Sequence, residues 1–299
     1  MTSAIAAIDA ETATRALADG CREVGLDPAG ATLLRIGSSA VFRLATEPVV
    51  VRVGRTLERV QHAVVEVGVS RWLKASGVPA VRAVDVPQPV EVDGRVVTVW
   101  ESVSDAAYGS TSDLACLIRQ LHQVDEPADL ELPALAPFDR AFNRLRTVQG
   151  MSTDARRFLL DRCERLAAEY DELVYALPAG VVHGDASVGN VLRDDRGQAV
   201  LADLDGFAIG AREWDLVLTA LYYERLGWHS SEEYAAFVDV YGWDVMTWSG
   251  YPVLRDTREL LMVTWLAQNA AENEKVRSEL SKRIDTLRTG ASRHTWSPF

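Results

Sequence analysis

The pattern of apolar and polar positions in the first hundred residues predicts a small antiparallel sheet with one inserted helix. Ala10 to Val24 favours an opening helix, and His62 to Lys74 carries apolar side chains at helical spacing before Gly77 and Pro79 end it. Runs of β-branched residues, separated by turn residues, predict the strands. These runs are Ala31 to Ile36, Val41 to Ala45, Val49 to Val53, Val81 to Val86, and Arg95 to Trp100 after a hairpin at Asp93-Gly94.

Beyond Ser102 the apolar positions recur mostly at helical spacing. One stripe consists of Leu114, Leu117, Ile118 and Leu121, and a second of Leu159, Cys163, Leu166, Tyr170 and Leu173. A short segment from Val181 to Asp205 is predicted to form strands, and it interrupts the helices. Strands first and helices later predict an α+β protein with two lobes and a cleft between them. The expected boundary divides a lobe of residues 1–102 from a helical lobe of residues 103–299.

Charge narrows the choice of partners. The chain has 299 residues and a formal net charge of −12, which disfavours nucleic acid as a ligand. Residues up to Glu101 carry a net charge of −1 and the remainder carries −11, so a cleft in the second part would favour cationic ligands, unless the acidity serves solubility alone. No apolar run approaches the ~20 residues needed to span a bilayer. Three cysteines without close spacing, Cys21, Cys116 and Cys163, point to a reducing cytoplasm.

Polar residues concentrate between Val181 and Asp215, where candidate metal ligands lie on two predicted strands. If Arg196-Gly197 forms the centre of the turn, Asn190 faces Asp203 across the hairpin, and a loop one residue different would stagger them. A carboxamide and a carboxylate oxygen are hard ligands suited to Mg²⁺. Asp185, five residues before Asn190, is expected beside them, where a carboxylate can accept a proton from an attacking hydroxyl.

This spacing resembles the aminoglycoside phosphotransferase family, whose members are small-molecule kinases with a protein-kinase-like fold. The resemblance rests on His183-Gly184-Asp185, then Asn190, then Asp203, with Asp215 opening the next helix. It covers roughly Leu33 to Trp265. It implies a nucleotide-binding lobe at the N-terminus and a C-terminal lobe that carries the catalytic loop and the acceptor site.

Residue roles follow from the resemblance by position. It implies that Asp185 is the catalytic base, that Asn190 and Asp203 bind magnesium, and that Asp215 holds the catalytic loop. His183 and His122 would be structural. Asp205 lies one strand step after Asp203 on the same face, where it would help bind a second ion or point into an acidic cleft.

The N-terminal lobe supplies candidate nucleotide ligands. The segment containing Ser38 and Ser39 resembles a short phosphate-covering loop, although its few glycines also suit a plain hairpin. Arg52 stands where kinases usually place a lysine that contacts the phosphates, and Glu66 is its expected ion-pair partner. Backbone groups near Glu101 and Val103 are expected to bind the purine.

Aromatic and polar residues in the last third suggest where the acceptor binds. Trp265, Gln268 and Glu272 would share one face of a helix. An aromatic ring beside carboxylates suits a sugar or amino sugar. The alternative is that these side chains only pack between helices.

Together these features predict a cytoplasmic, ATP-dependent and Mg²⁺-requiring O-phosphotransferase for a small hydroxylated, cationic acceptor such as an aminoglycoside or amino sugar. GTP as donor stays open, and antibiotic resistance is one role for such an enzyme. The alternative is a catalytically inactive, nucleotide-binding regulator, which Arg52 in place of lysine supports. A metal-dependent hydrolase would need more histidines near the motif than this chain has. Only 11 residues separate Asp203 from Asp215, which leaves little room for the peptide-positioning loop of a protein kinase.

Overall fold

The computed structural model describes residues 9–37, 39–57, 60–103, 107–194, 196–268, 270–271 and 273–299. These residues form two compact units. The first contains the chain up to Gly109 with Gln123–Leu132 and Val188–Phe207, and the second contains Ser110–His122, Pro133–Ser187 and Ala208–Phe299. Residues 188–207 therefore group with the N-terminal unit, whereas the predicted division at residue 102 assigned them to the helical lobe.

The first unit is built on a five-stranded antiparallel sheet in the order β1-β2-β3-β5-β4. Its strands are β1 (Thr32–Ile36), β2 (Ser39–Arg43), β3 (Val49–Gly54), β4 (Val90–Val92) and β5 (Arg95–Glu101). Asp93 and Gly94, both at positive φ, form the two-residue turn between β4 and β5, as the sequence predicted.

Two helices belong to the first unit: α1 (Ala10–Val24) and α2 (Val60–Ala75). Asp9 caps α1 by accepting a hydrogen bond from the Thr12 N–H, and the helix ends at Gly25 in the left-handed conformation. Ala13, Leu17 and other residues of one face are buried in a core with β2, β3 and β5. Gly20 allows this close packing, since a Cβ there would lie 2.8 Å from the Val97 side chain.

The predicted strand from Val81 to Val86 does not form. Residues there make isolated bridges only, between Ala80 and Leu201 and between Ala83 and Trp100. The buried Ser70 hydroxyl of α2 donates to the Val81 carbonyl and accepts from the Ala83 N–H. A side chain therefore satisfies the backbone groups that a ladder would otherwise pair, and Val90–Val92 takes the edge of the sheet.

A small hairpin in the first unit joins β7 (Val191–Arg193) to β8 (Ala199–Leu201). Its register differs by one residue from the prediction, so that Asn190 lies opposite Ala202 rather than Asp203: the Ala202 N–H donates to the Asn190 carbonyl. The cause is a longer turn than the two-residue one assumed. The Gly197 N–H donates to the Asp194 carbonyl and Gly197 has φ +74°, as in a three-residue loop that ends in a left-handed glycine.

The second unit is mainly helical. Its helices are α3 (Thr111–Leu121), α4 (Pro137–Thr147), α5 (Thr153–Asp171), α6 (Trp214–Leu221), α7 (Ser231–Tyr241), α8 (Tyr251–Ala267) and α9 (Glu274–Thr289). A π-helical segment, Tyr222–Leu226, continues α6, and β6 (Ala179–Val182) pairs antiparallel with β9 (Ala208–Ala211). Side chains of α4, α5, α8 and α9 share one core, which contains Leu145, Leu159 and Leu260.

The α+β class predicted from the sequence is confirmed by the small antiparallel sheet and the helical second unit. Among the described residues no helix is both long and apolar enough to cross a membrane.

Candidate active site

In the first unit, Arg52 and Glu66 form the predicted ion pair. Arg52 Nη1 lies 2.6 Å from Glu66 Oε1, and both side chains are largely buried. The Arg52 guanidinium also lies 4.9 Å from the centre of the Trp100 ring. These contacts hold the cation of β3 in one orientation.

Glu66 is a buried carboxylate with one cation, Arg52, and two other carboxylates, Asp205 and Asp203, close to it. Burial raises the pKa of its carboxyl group, and the charges of Asp205 and Asp203 raise it further, while Arg52 opposes them. Asp203 and Asp205 therefore lie close enough to Glu66 in the first unit to disfavour its charged form. A bound cation would relieve that repulsion.

Asp203 holds an unusual backbone conformation directly after β8. Its φ and ψ are 59° and 62°, in the left-handed region that most side chains avoid and that Asp tolerates better than most. The residue is exposed, whereas Leu204 next to it is fully buried. Phe207, also buried, packs edge-on against Trp72 of α2. Buried neighbours thus fix an exposed carboxylate in place.

The same region corrects the prediction for Asp205. Asp203 and Asp205 were expected on one face of a strand, but β8 ends at Leu201 and Leu204–Gly206 forms a 3₁₀ turn. Asp205 is half-buried in that turn. It stays near Glu66, as the effect of its charge on the Glu66 pKa indicates.

Asn190 and Asp203 are suitable ligands for a divalent cation together with phosphate oxygens. Asn190 ends a short 3₁₀ turn, and its backbone bond to Ala202 places it one residue from Asp203 across the hairpin. No three His, Cys, Asp or Glu side chains in the described part of the chain are arranged to hold a metal by themselves. Mg²⁺ characteristically uses one or two protein oxygens and completes its shell with water and phosphate.

The remaining predicted nucleotide ligands that the structure describes lie at or just beyond the ends of two inner strands, β2 and β5. Ser39 begins β2, and its carbonyl accepts from the Gly37 N–H; Ser38 lies outside the described residues. The Glu101 N–H donates to the Arg82 carbonyl, so a purine contact at this residue would use the Glu101 carbonyl. Val103 is half-buried two residues later.

In the second unit, Asp215 holds the loop that contains the predicted base. This fully buried carboxylate accepts hydrogen bonds from the His183 N–H at 2.7 Å and the Gly184 N–H at 2.9 Å. It also contacts His122 Nε2 at 3.2 Å, and His122 Nδ1 lies 2.9 Å from the Tyr241 hydroxyl. Burial acts to raise the pKa of Asp215, but its bonds and the nearby imidazoles keep that pKa below the ordinary value. The predicted structural role of Asp215 is confirmed.

Asp185 follows this anchored segment and has an exposed side chain. Gly184 adopts φ +84°, and the Asp185 N–H donates to His183 Nδ1 at 3.3 Å. The Asp185 side chain is 58% exposed, and its Oδ1 lies 3.5 Å from Nη1 of Arg258 on α8. The loop thus presents a carboxylate to solvent from a fixed backbone, which is the arrangement that a general base needs.

Two residues near Asp185 were not identified from the sequence. Arg258 is buried and stacks over the Trp214 ring at 3.9 Å. Tyr222 begins the π-helical segment, and burial, with the charge of Asp185, raises the pKa of its hydroxyl to about 12. The available signal for Arg258 was a charged residue one helical turn after Leu254, on the buried face of α8.

Of the predicted acceptor residues, the structure describes Trp265 and Gln268, which lie at the end of α8. Helix α8 ends at Ala267, and Gln268 caps it with its side-chain amide donating to the Trp265 carbonyl at 3.3 Å. Asn273 already begins the next helix by accepting from two N–H groups of α9. Trp265 is 43% exposed, and Glu272 lies outside the described residues.

Comparisons with known proteins identify the family and the fold. The sequence matches the profile of the phosphotransferase enzyme family over residues 30–256, well over half of the chain. A comparison with curated protein sequences gave no match.

Solved structures with similar folds include several kinases. Amicoumacin kinase hAmiN, in complex with AMP-PNP, Ca²⁺ and Ami, is 16% identical, covers 97% of this chain and 96% of its own, and gives a TM-score of 0.75. A microcompartment-associated aminopropanol kinase is 17% identical, with coverages of 94% and 98% and a TM-score of 0.71. Spectinomycin phosphotransferase APH(9)-Ia, in complex with ADP and spectinomycin, is 14% identical, with coverages of 94% and 94% and a TM-score of 0.64. At these identities the likeness establishes the fold.

Proposed function

This chain belongs to the phosphotransferase enzyme family, and we propose that it transfers the terminal phosphoryl group of ATP, with Mg²⁺, to a hydroxyl of a small polar molecule. The observation that carries the proposal is the loop around Asp185. A buried carboxylate, Asp215, binds two consecutive N–H groups of this loop and leaves the next side chain exposed to solvent. Asp185 accepts the proton of the acceptor hydroxyl as its oxygen attacks phosphorus.

Asn190 and Asp203 hold the metal in this proposal. Their oxygens are hard donors, and Asp203 is kept exposed by a turn whose neighbours are buried. Bound there, Mg²⁺ would neutralise phosphate charge and reduce the repulsion among Glu66, Asp203 and Asp205. The same hypothesis includes a second metal ion, which Asp205 would contact.

Arg52 binds the phosphates that are not transferred. Glu66 and the Trp100 ring fix its guanidinium, so less conformational freedom is lost when it binds oxygen atoms. Ser38 and Ser39 would cover the phosphates. The Glu101 carbonyl and the backbone of Val103 would bind the purine, and GTP as the donor stays open.

The acceptor contacts are proposed at Trp265, Gln268 and Glu272. The exposed indole of Trp265 offers a stacking surface for a sugar ring. Alanine at each position should raise the acceptor KM and leave the nucleotide KM unchanged. Unchanged acceptor kinetics in all three variants would place the acceptor elsewhere in the molecule.

The proposal is tested by nucleotide consumption with Mg²⁺ against a panel of hydroxylated amines, amino sugars and aminoglycosides. With a productive acceptor, Asp185→Asn should lower kcat by roughly 10²–10⁴-fold, because the exposed site keeps its shape and loses its base. The nucleotide KM should change little. Asp239→Asn is the matched control, since Asp239 is an exposed aspartate on α7 of the same unit. Full activity of Asp185→Asn would refute the role of Asp185.

The catalytically inactive regulator is a second candidate, favoured by one observation. The Arg52 guanidinium is already engaged by Glu66 and Trp100, which would suit a scaffold that binds nucleotide and transfers nothing. Thermal stabilisation by Mg-ATP without turnover of any acceptor in the panel would favour the regulator. Turnover that depends on Asp185 would exclude it.

A further inference from the structure

Arg258 is a buried cation on α8 whose contacts converge on the loop that carries Asp185. Its residue is 5% exposed. Nη2 donates to the Gly184 carbonyl at 3.0 Å and to the Trp214 carbonyl at 3.2 Å. The guanidinium carbon lies 3.9 Å from the centre of the Trp214 ring, and Nη1 lies 3.5 Å from Asp185 Oδ1. One side chain therefore contacts α6, the glycine of the loop and the proposed base.

Stability alone is a weak explanation for this arginine. Removing a guanidinium from water is costly, and apolar side chains of similar volume often replace buried charges without loss of stability. In addition, Arg258 Nε is buried and finds no acceptor among the described residues, which adds to the cost. The contacts to Gly184 and Asp185 are therefore better explained by their effect on the position of the loop that carries Asp185.

Arg258 and Asp215 hold Gly184 from its two polar sides. Asp215 accepts from the Gly184 N–H, and Arg258 donates to the Gly184 carbonyl. The Asp215 carboxylate thus holds the N–H group of Gly184, and the Arg258 guanidinium holds the Gly184 carbonyl. Gly184 directly precedes the proposed base. Trp214 completes the support, since its indole N–H donates to the same carbonyl at 2.9 Å.

We propose that Arg258 is a positioning residue for the reaction, which holds the Gly184 peptide and orients the Asp185 carboxylate for proton acceptance. This inference rests on the proposed role of Asp185 as base. A planar guanidinium can contact two carbonyls and a carboxylate while it stacks on an indole, and a lysine ammonium cannot do so in the same geometry. A carboxylate displaced by about 1 Å can lose on the order of 100-fold in rate.

The test compares Arg258→Ala and Arg258→Lys with the wild type, on an acceptor that the wild type turns over. We expect Arg258→Ala to lower kcat by roughly 100-fold with the KM for nucleotide and acceptor nearly unchanged. Arg258→Lys should show an intermediate loss, since it keeps the charge and loses the fork. Added guanidinium ion should restore part of the activity of Arg258→Ala and none of that of Asp185→Asn.

Arg283 on α9 provides a matched control. It is also buried, stacks on an indole (Trp296, 4.7 Å) and pairs with a carboxylate (Glu279, 2.9 Å), but its hydrogen bonds and its ion pair are with the C-terminal segment and its own helix. Arg283→Ala should lower the unfolding temperature and leave kcat near the wild-type value at temperatures where the protein is folded.

Circular dichroism establishes whether each variant is folded. If Arg258→Ala does not fold, the kcat of Arg258→Lys tests the proposal instead. The proposal is overturned if folded Arg258 variants keep wild-type kcat, or if Arg283→Ala lowers kcat as much as Arg258→Ala. A wild-type protein inactive on every acceptor would instead contradict the proposed function, so the two failures are distinguishable.

Discussion

The functional groups of the two compact units are held in opposite ways. In the first unit, burial and the charges of Asp205 and Asp203 raise the pKa of Glu66, and Arg52 opposes them. In the second unit, the buried Asp215 is bound by two N–H groups and an imidazole, and Arg258 by two carbonyls and an indole. One set of charges is left to be neutralised by a ligand, and most polar atoms of the other set are already bound by protein groups.

This difference separates binding from preorganisation. A site that must attract a cation and a nucleotide benefits from carboxylates that are unfavourable to bury until the ligand arrives. A loop that must place a base against a hydroxyl benefits from being fixed beforehand, because no reorganisation is then needed during the reaction. We therefore expect the loss of Asp215 to cost stability and the loss of Asp203 to cost ligand affinity.

The largest expected effect on stability is that of Asp215→Ala. It leaves the N–H groups of His183 and Gly184 and the His122 ring without their buried acceptor, so the free energy of unfolding should fall by about 3–5 kcal/mol. Urea denaturation measures it. Tyr241→Phe, which removes one hydrogen bond to His122, should cost about 1 kcal/mol. Similar small losses for both variants would contradict the central role of Asp215.

Asp215 should also determine part of the acid stability. Its pKa is lowered in the folded protein, so its contribution is present above its ordinary value and is lost as the pH falls towards the folded-state pKa. Asp215→Asn, which cannot ionise, should therefore show a flatter dependence of stability on pH below about pH 4 than the wild type. An unchanged slope would exclude Asp215 as the source.

Asp203→Asn, in the first unit, should have the opposite effect to Asp215→Ala: it should lower ligand affinity and leave stability intact. Asn also tolerates the left-handed conformation, so only the charge is lost. Stability without ligand should be unchanged or slightly higher, because repulsion with Glu66 is reduced. Affinity for Mg-ATP, measured by calorimetry, should fall by at least about tenfold, equal to about 1.4 kcal/mol. Undiminished affinity would argue against Asp203 as a metal ligand.

Gly197→Ala tests the turn that sets the hairpin register. A Cβ at Gly197 would meet no atom within 4 Å, so its cost is the positive φ alone, about 1 kcal/mol. Gly37→Ala is the control, since it has equal space and no positive φ and should be nearly neutral. Equal losses in chemical denaturation would show that backbone strain at Gly197 is not what matters.

The smallest expected effect is that of Glu66→Gln on the pH dependence of stability. The Glu66 pKa is raised in the folded protein, so the wild type loses stability as the pH rises from the ordinary glutamate value through the folded value. Glu66→Gln should lack this loss and show a flatter profile as the pH rises above about 4. Thermal denaturation across that range measures it, and a slope identical to that of the wild type would contradict the charge repulsion.

Local patterns in the sequence were sufficient for several features of the fold and the candidate site. The bounds of α1 agree with its prediction, since a cap at Asp9 and a left-handed Gly25 are local signals. The Arg52–Glu66 pair was predicted from the position of Arg52, where kinases usually place a lysine, and from Glu66 on the following helix. The spacing from His183 to Asp215 also placed the anchor of the loop correctly.

Other features depended on contacts that no local pattern contains. Ser70 bonds the Val81 carbonyl and the Ala83 N–H in place of a strand partner, and α8 ends at Ala267, before the predicted acceptor face is complete. The one-residue register shift followed from the conformation of a single turn.

The sequence by itself determined which chemistry is present: a carboxylate, a carboxamide and a second carboxylate at the spacing of a phosphotransferase, because residue type and spacing are properties of the chain. Only the tertiary structure decided how those groups are supported. Arg258 lies 73 residues beyond Asp185 in the sequence, and its contact with the loop exists because the packing of α8 brings it there. Side-chain partners that are distant in the chain are selected by packing, and packing is not encoded in any one segment.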